Sequence, residues 1–128
     1  MVKSKIKKIV GHISSDIANR YNLYEYEGKE IVQSLDLYSH IEKHINEFKT
    51  VDNYNCAVSN IDLIISEPDV VCYEKIRNSL LYFKKLSESV CVVVKLTLKK
   101  GKDNYVATIY PVSYRKIEKM IEKSYLKQ

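Results

Sequence analysis

At Pro68 the hydrophobic pattern of this 128-residue chain changes period. Before it, apolar residues recur every three or four positions: Leu37, Ile41, Ile45 and Phe48 in one stretch, then Val58, Ile61, Ile64 and Ile65 in the next. That spacing lines one face of a helix. The residue before a proline resists helical geometry, so the second stretch must stop there. After it come four runs, at 70–73, 80–84, 90–99 and 105–112, rich in Val, Leu and Tyr and joined by short connections. Short connections join antiparallel strands, because a parallel pair needs a long crossover. Ser113 then stands where an N-cap is wanted, with Ile117, Met120 and Ile121 on one face of a last helix. The expected fold class is α+β: N-terminal helices packed on a four-stranded antiparallel meander, with a C-terminal helix.

The remaining elements follow from the same signals. Residues 13–21 read as a helix with Ser14 or Ser15 as N-cap, 30–35 as a short strand, 36–48 as a helix capped by Asp36, and 53–66 as another helix. Three Gly and two Pro leave no linker or repeat, so residues 1–128 are expected to form one domain. Cys56, Cys72 and Cys91 are odd in number and unevenly spaced, which reads as reduced thiols of a cytoplasmic protein rather than disulfides or a zinc site. No apolar run approaches the ~20 residues that span a bilayer, and the basic start lacks the apolar core of a secretory signal. No membrane association is expected.

Charge is divided unequally. Residues 1–64 carry 8 basic and 9 acidic side chains, residues 65–128 carry 13 and 7, and the whole chain is +5. A basic C-terminal half points to a polyanionic partner, nucleic acid being the commonest. The 11 tyrosines suit base stacking and equally suit exposed strands.

Two histidines, His40 and His44, stand four residues apart in the expected helix 36–48, which would bring them to one side of it. On the helical wheel His44 falls within the apolar stripe and His40 at its edge, so His44 also fits a core histidine bonded to backbone. In the last two strands, Val90, Val92, Val94, Leu96 and Leu98 alternate with Cys91, Val93, Lys95, Thr97 and Lys99. If the apolar rows share a face, paired residue numbers must sum to an odd number. A connection centred on Gly101 and Lys102 makes that sum about 203, with Lys95 opposite Thr108 and Val93 opposite Tyr110. Lys95, Thr108 and Tyr110 would then share the face away from the apolar row.

These residue types suit RNA cleavage without metal. Histidine moves protons near neutral pH, a fixed lysine stabilises charge growing on phosphate oxygens, and Thr and Tyr hydroxyls orient the phosphate. The candidate catalytic residues are therefore His40, His44, Lys95, Thr108 and Tyr110. Lys99, Lys100 and Lys102, at the turn, are candidates for contacts to the RNA backbone. No third ligand is spaced to complete a zinc site with the two histidines, and neither a metal nor any other cofactor is expected.

The order of several segments adds to this. Ile9-Val10-Gly11-His12-Ile13-Ser14 leads into a helix, His40-Ile41-Glu42-Lys43-His44 follows, Ile64-Ile65-Ser66-Glu67-Pro68-Asp69 leads into a strand, and Val93-Val94-Lys95 and Thr108-Ile109-Tyr110 come last. In this order the chain resembles the phage-associated nuclease domains of the barnase, EndoU, colicin and RelE-like superfamily. Where that family carries a basic pair before its second histidine, this chain has Glu42-Lys43. The resemblance implies a metal-independent endoribonuclease, a toxin or mobile-element effector, with the histidine motif, the strand lysine and the Thr/Tyr pair around the scissile phosphate. RNA is the implied partner, with an acidic immunity protein as a second. Two other readings of the same residues are a non-catalytic RNA-binding or phage-assembly module and an interaction domain for an acidic protein.

Overall fold

A computed structural model describes residues 7–34 and 36–126, together with all their side chains except those of His40 and of residues 123–126. Strands β1 (Lys7–His12), β2 (Glu30–Ser34), β3 (Val70–Glu74), β4 (Ser79–Lys85), β5 (Ser89–Lys95) and β6 (Asn104–Pro111) form one sheet in the order β1-β2-β6-β5-β4-β3. The helices are α1 (Ser15–Tyr21), α2 (Leu37–Ile41), α3 (Val51–Ser59), α4 (Ile61–Ser66) and α5 (Tyr114–Leu126). The class is α+β, as expected. The sheet is not a four-stranded meander: β3 to β6 do pair antiparallel in sequence order, and two N-terminal strands extend the sheet beyond β6. Joining is made by β2, which runs parallel to β6 through Ile31↔Asn104 and Val32↔Tyr105.

Strand β1 escaped notice in the sequence because a bulge hides its alternation. Ile9 pairs with Val32 and Gly11 with Ile31, so Val10 is an extra residue. Ile9 is consequently exposed while Val10 is buried. Gly11 marks a close approach to α4: a Cβ there would lie 2.7 Å from Cγ2 of the buried Ile65. Gly11→Ala is expected to lower stability by about 1–3 kcal/mol through this overpacking, read as a lower urea midpoint with an unchanged m-value.

The helices begin and break where polar side chains compete for backbone. Ile17 donates its N–H to the hydroxyl of Ser14, 3.2 Å away, and Asn53 likewise to Thr50 at 3.0 Å. The stretch 53–66 is two helices, not one. Asn60 donates its side-chain amide to the carbonyl of Cys56 at 2.6 Å and leaves helical geometry. The stretch 36–48 is likewise shorter than a full helix. It is helical over Leu37–Ile41 and then tightens into a 3-10 helix over Glu42–Glu47, and Asp36 gives no side-chain cap.

Two cores sandwich the sheet. The larger joins Val90, Val92, Val94, Leu80, Tyr82 and Ile109 to α2, α3 and α4 through Ile41, Ala57 and Ile64. The smaller lies on the opposite face, where Ile117 of α5 meets Val70, Phe83 and Cys91. Lys116 donates its N–H to the Ser113 hydroxyl at 3.1 Å, the expected start of α5. Among the described residues no helix is long and apolar enough to cross a membrane.

Candidate active site

The site is built from β5, β6 and the 3-10 stretch beside them. Its register begins at the turn. Lys102 donates to the carbonyl of Lys99 at 3.0 Å, and Gly101 adopts φ 79°, the left-handed value a type II turn requires at its third residue. The turn therefore centres on Lys100-Gly101, one residue earlier than expected. Val93 pairs with Thr108, Val92 with Ile109 and Cys91 with Tyr110. Closer to the turn a bulge shifts the pairing again, to Val94↔Val106 and Lys95↔Tyr105. The expected pairs Lys95–Thr108 and Val93–Tyr110 are thus corrected. The reason is the turn position together with one extra residue in β6. Strand β5 also ends earlier than 99, because Asn78 takes a left-handed conformation (φ 48°), accepts the N–H of Leu96 and donates its side-chain amide to the Leu96 carbonyl.

The parity argument survives the shift. Cys91 belongs to the core under α5, and Val93 and Tyr110 pack against it. Alternation places Lys95 on that same face, and pairing brings Tyr105 and Thr108 to it. Lys95, Val93, Thr108 and Tyr110 are half-buried and Tyr105 is exposed. Helix α2 does not lie on this face. Ile41, with Ile45 packed beside it, joins the core on the other one, so the segment crosses beside β6.

That crossing brings His44 to Tyr110. Their ring centroids are 6.2 Å apart with planes inclined by 48°. Nδ1 of His44 lies 2.6 Å from Oε2 of Glu47, and the His44 side chain is 19 % exposed. His44 is therefore neither in the core nor bonded to backbone through Nδ1. A carboxylate on one ring nitrogen fixes the tautomer and aims the other nitrogen for proton exchange. The side chain of His40 lies outside the described residues.

The hydroxyls have distinct surroundings. Burial pushes Tyr110 above the ordinary tyrosine range. The neighbouring Cys91 and Glu74 push it the same way, and Arg77 opposes them. The phenol is thus a proton-bearing donor at neutral pH. Burial likewise raises the Cys91 thiol to about 12, against the opposing hydrogen bond from Tyr110, which leaves this cysteine un-ionised and unsuited to attack. Oγ1 of Thr108 is buried without a hydrogen-bond partner among the described residues. Such a group is costly to leave unpaired.

At the far end of β6 the turn forms a hollow of about 460 Å³, lined by Lys29, Lys99, Lys100 and Lys102 together with Glu30 and Asp103. The three turn lysines come together there as a group, at the end of the sheet and away from His44. Sequence reasoning missed Glu47, Lys29 and Tyr105. Glu47 left a trace, an acid three residues after a histidine; the other two are placed by pairing across the chain. Among the described residues no three His, Cys, Asp or Glu side chains gather as metal ligands do.

The structure thus holds His44 between the Glu47 carboxylate and the Tyr110 phenol, with Lys95 on the sheet face of Tyr110 but four residues along β5 from Cys91, the partner of Tyr110. The class of protein it belongs to is a nuclease. Residues 7–119 match the model of the phage-Barnase-EndoU-ColicinE5/D-RelE like nuclease 3 family, and the chain belongs to that family. No curated protein and no solved structure matches it.

Proposed function

We propose that this chain is a metal-independent endoribonuclease that cleaves RNA by attack of the 2′-hydroxyl. The observation that carries the reading is His44, held by Glu47 and set against Tyr110, on a face that also bears Thr108 and Lys95. The scissile phosphate sits over Thr108. Lys95 and Cys91 stand two residues either side of Val93, the partner of Thr108, each roughly 7 Å along the strand. A lysine from one side and the Tyr110 phenol from the other span that distance.

His44 takes the 2′-hydroxyl proton on the ring nitrogen that Glu47 leaves free. The 2′-oxygen forms its bond to phosphorus and the bond to the 5′-oxygen breaks. Lys95 stabilises the charge gathering on the non-bridging oxygens, with Thr108 and Tyr110 donating to the same oxygens. His40, one turn earlier on the same segment, is assigned the proton delivered to the leaving 5′-oxygen. The products are a 2′,3′-cyclic phosphate and a 5′-hydroxyl. Lys99, Lys100 and Lys102 hold more distant phosphates.

Incubation of the protein with RNA in excess EDTA, followed by end-group analysis, tests the reaction. Undiminished cleavage with cyclic-phosphate ends is expected. Loss of activity in EDTA, or 3′-hydroxyl ends, would overturn it.

A further inference from the structure

Strand β6 carries two features that the bond-breaking step above does not use. The first is Tyr105, 46 % exposed on the same sheet face as Thr108 and Tyr110. The second is the lysine-lined hollow at the Asn104 end, to which Lys29 contributes from outside the turn. The hollow is a built feature. Asn104 is buried, accepts the N–H of Thr97 at 2.9 Å and donates to the carbonyl of Glu30 at 3.3 Å, so the turn is tied to the start of β2. Its electrostatics favour an anion. Four lysines face two carboxylates, and one of these, Asp103, is already paired with Lys7 at 2.6 Å.

We propose that single-stranded RNA runs along β6 from the His44–Tyr110 end to this hollow, stacking one base on Tyr105 and seating a phosphate among Lys29, Lys99, Lys100 and Lys102. The proposal rests on the endoribonuclease reading and adds to it the strandedness of the substrate and a subsite remote from the chemistry. From Tyr110 to Asn104 is roughly 20 Å along an extended strand, a span of a few nucleotides rather than one. An exposed ring flanked by a lysine is a stacking platform. A base in a duplex is already stacked on its neighbours and cannot use it.

Binding of a 2′-O-methyl hexanucleotide, which lacks the attacking hydroxyl, tests the track separately from turnover. By fluorescence anisotropy the single strand should bind the wild type about tenfold more tightly than the same sequence as a duplex. Tyr105→Ala should lose roughly tenfold or more in affinity, and Tyr105→Phe should restore it. Lys29→Ala should bind more weakly and with a shallower dependence on salt. Equal binding of single strand and duplex, or wild-type affinity in Tyr105→Ala and Lys29→Ala, would overturn the proposal. If the track is right and the nuclease reading wrong, these shifts appear while unmodified RNA stays uncut. If only the track is wrong, RNA is cut and the shifts are missing.

Discussion

His44→Ala is expected to lower the single-turnover rate of RNA cleavage by roughly 10²–10⁴, the usual contribution of a positioned proton-transfer group. The side chain is 19 % exposed and packs on Tyr110, so its removal should lower the melting temperature modestly while the far-ultraviolet spectrum stays close to wild type, and His44→Gln, which fills most of the same space, should show the same rate loss. The partner carboxylate provides a graded control. Glu47→Gln keeps the shape but loses the charge on Nδ1, and a drop of roughly 10–100-fold is expected, as for other residues that orient a functional histidine. His40→Ala belongs in the same experiment, since acid and base should both be needed. A wild-type rate in His44→Ala with a large loss in His40→Ala would transfer the base to His40.

Lys95→Ala is expected to slow the chemical step by roughly 10²–10³ with little change in RNA affinity. The lysine is half-buried, two residues along β5 from the partner of Thr108. There it meets charge that grows only as the bond to the 5′-oxygen breaks. Lys100→Ala should do the reverse. Its position in the exposed turn gives it a phosphate contact that is the same before and during the reaction, so binding weakens and its salt dependence becomes shallower. Single-turnover rates at saturating RNA separate the two, and an unchanged rate in Lys95→Ala would remove it from the catalytic set.

Much of this arrangement could be read along the chain because the physics behind it is local. The change of period at Pro68 separates helices from the strands β3 to β6, and the Ser14 and Ser113 caps mark where α1 and α5 begin. Alternation alone put Lys95, Thr108 and Tyr110 on one sheet face, since parity is kept under any even shift of register. The basic character of the turn was likewise plain from Lys99, Lys100 and Lys102.

What the chain could not show was how distant segments meet. The pairing of β2 with β6 joins residues more than seventy positions apart, and no local pattern encodes a parallel contact across four intervening helices and three strands. The bulges in β1 and β6 each add one residue, which breaks alternation just where it would be used to infer pairing. The same limit applies to the site. The helical wheel assigned His44 to an apolar stripe. After Ile41 the backbone winds at three residues per turn instead of 3.6; Ile45 and Phe48 still pack on the core, while His44 meets Glu47 and Tyr110 instead. Residue types and faces were therefore determined by sequence through local sterics and periodicity. The pairing of His44 with Glu47 is likewise local, three residues apart, but the meeting of His44 with Tyr110, and of Lys29 with the turn lysines, was decided by tertiary packing, because each depends on chain direction accumulated over many residues.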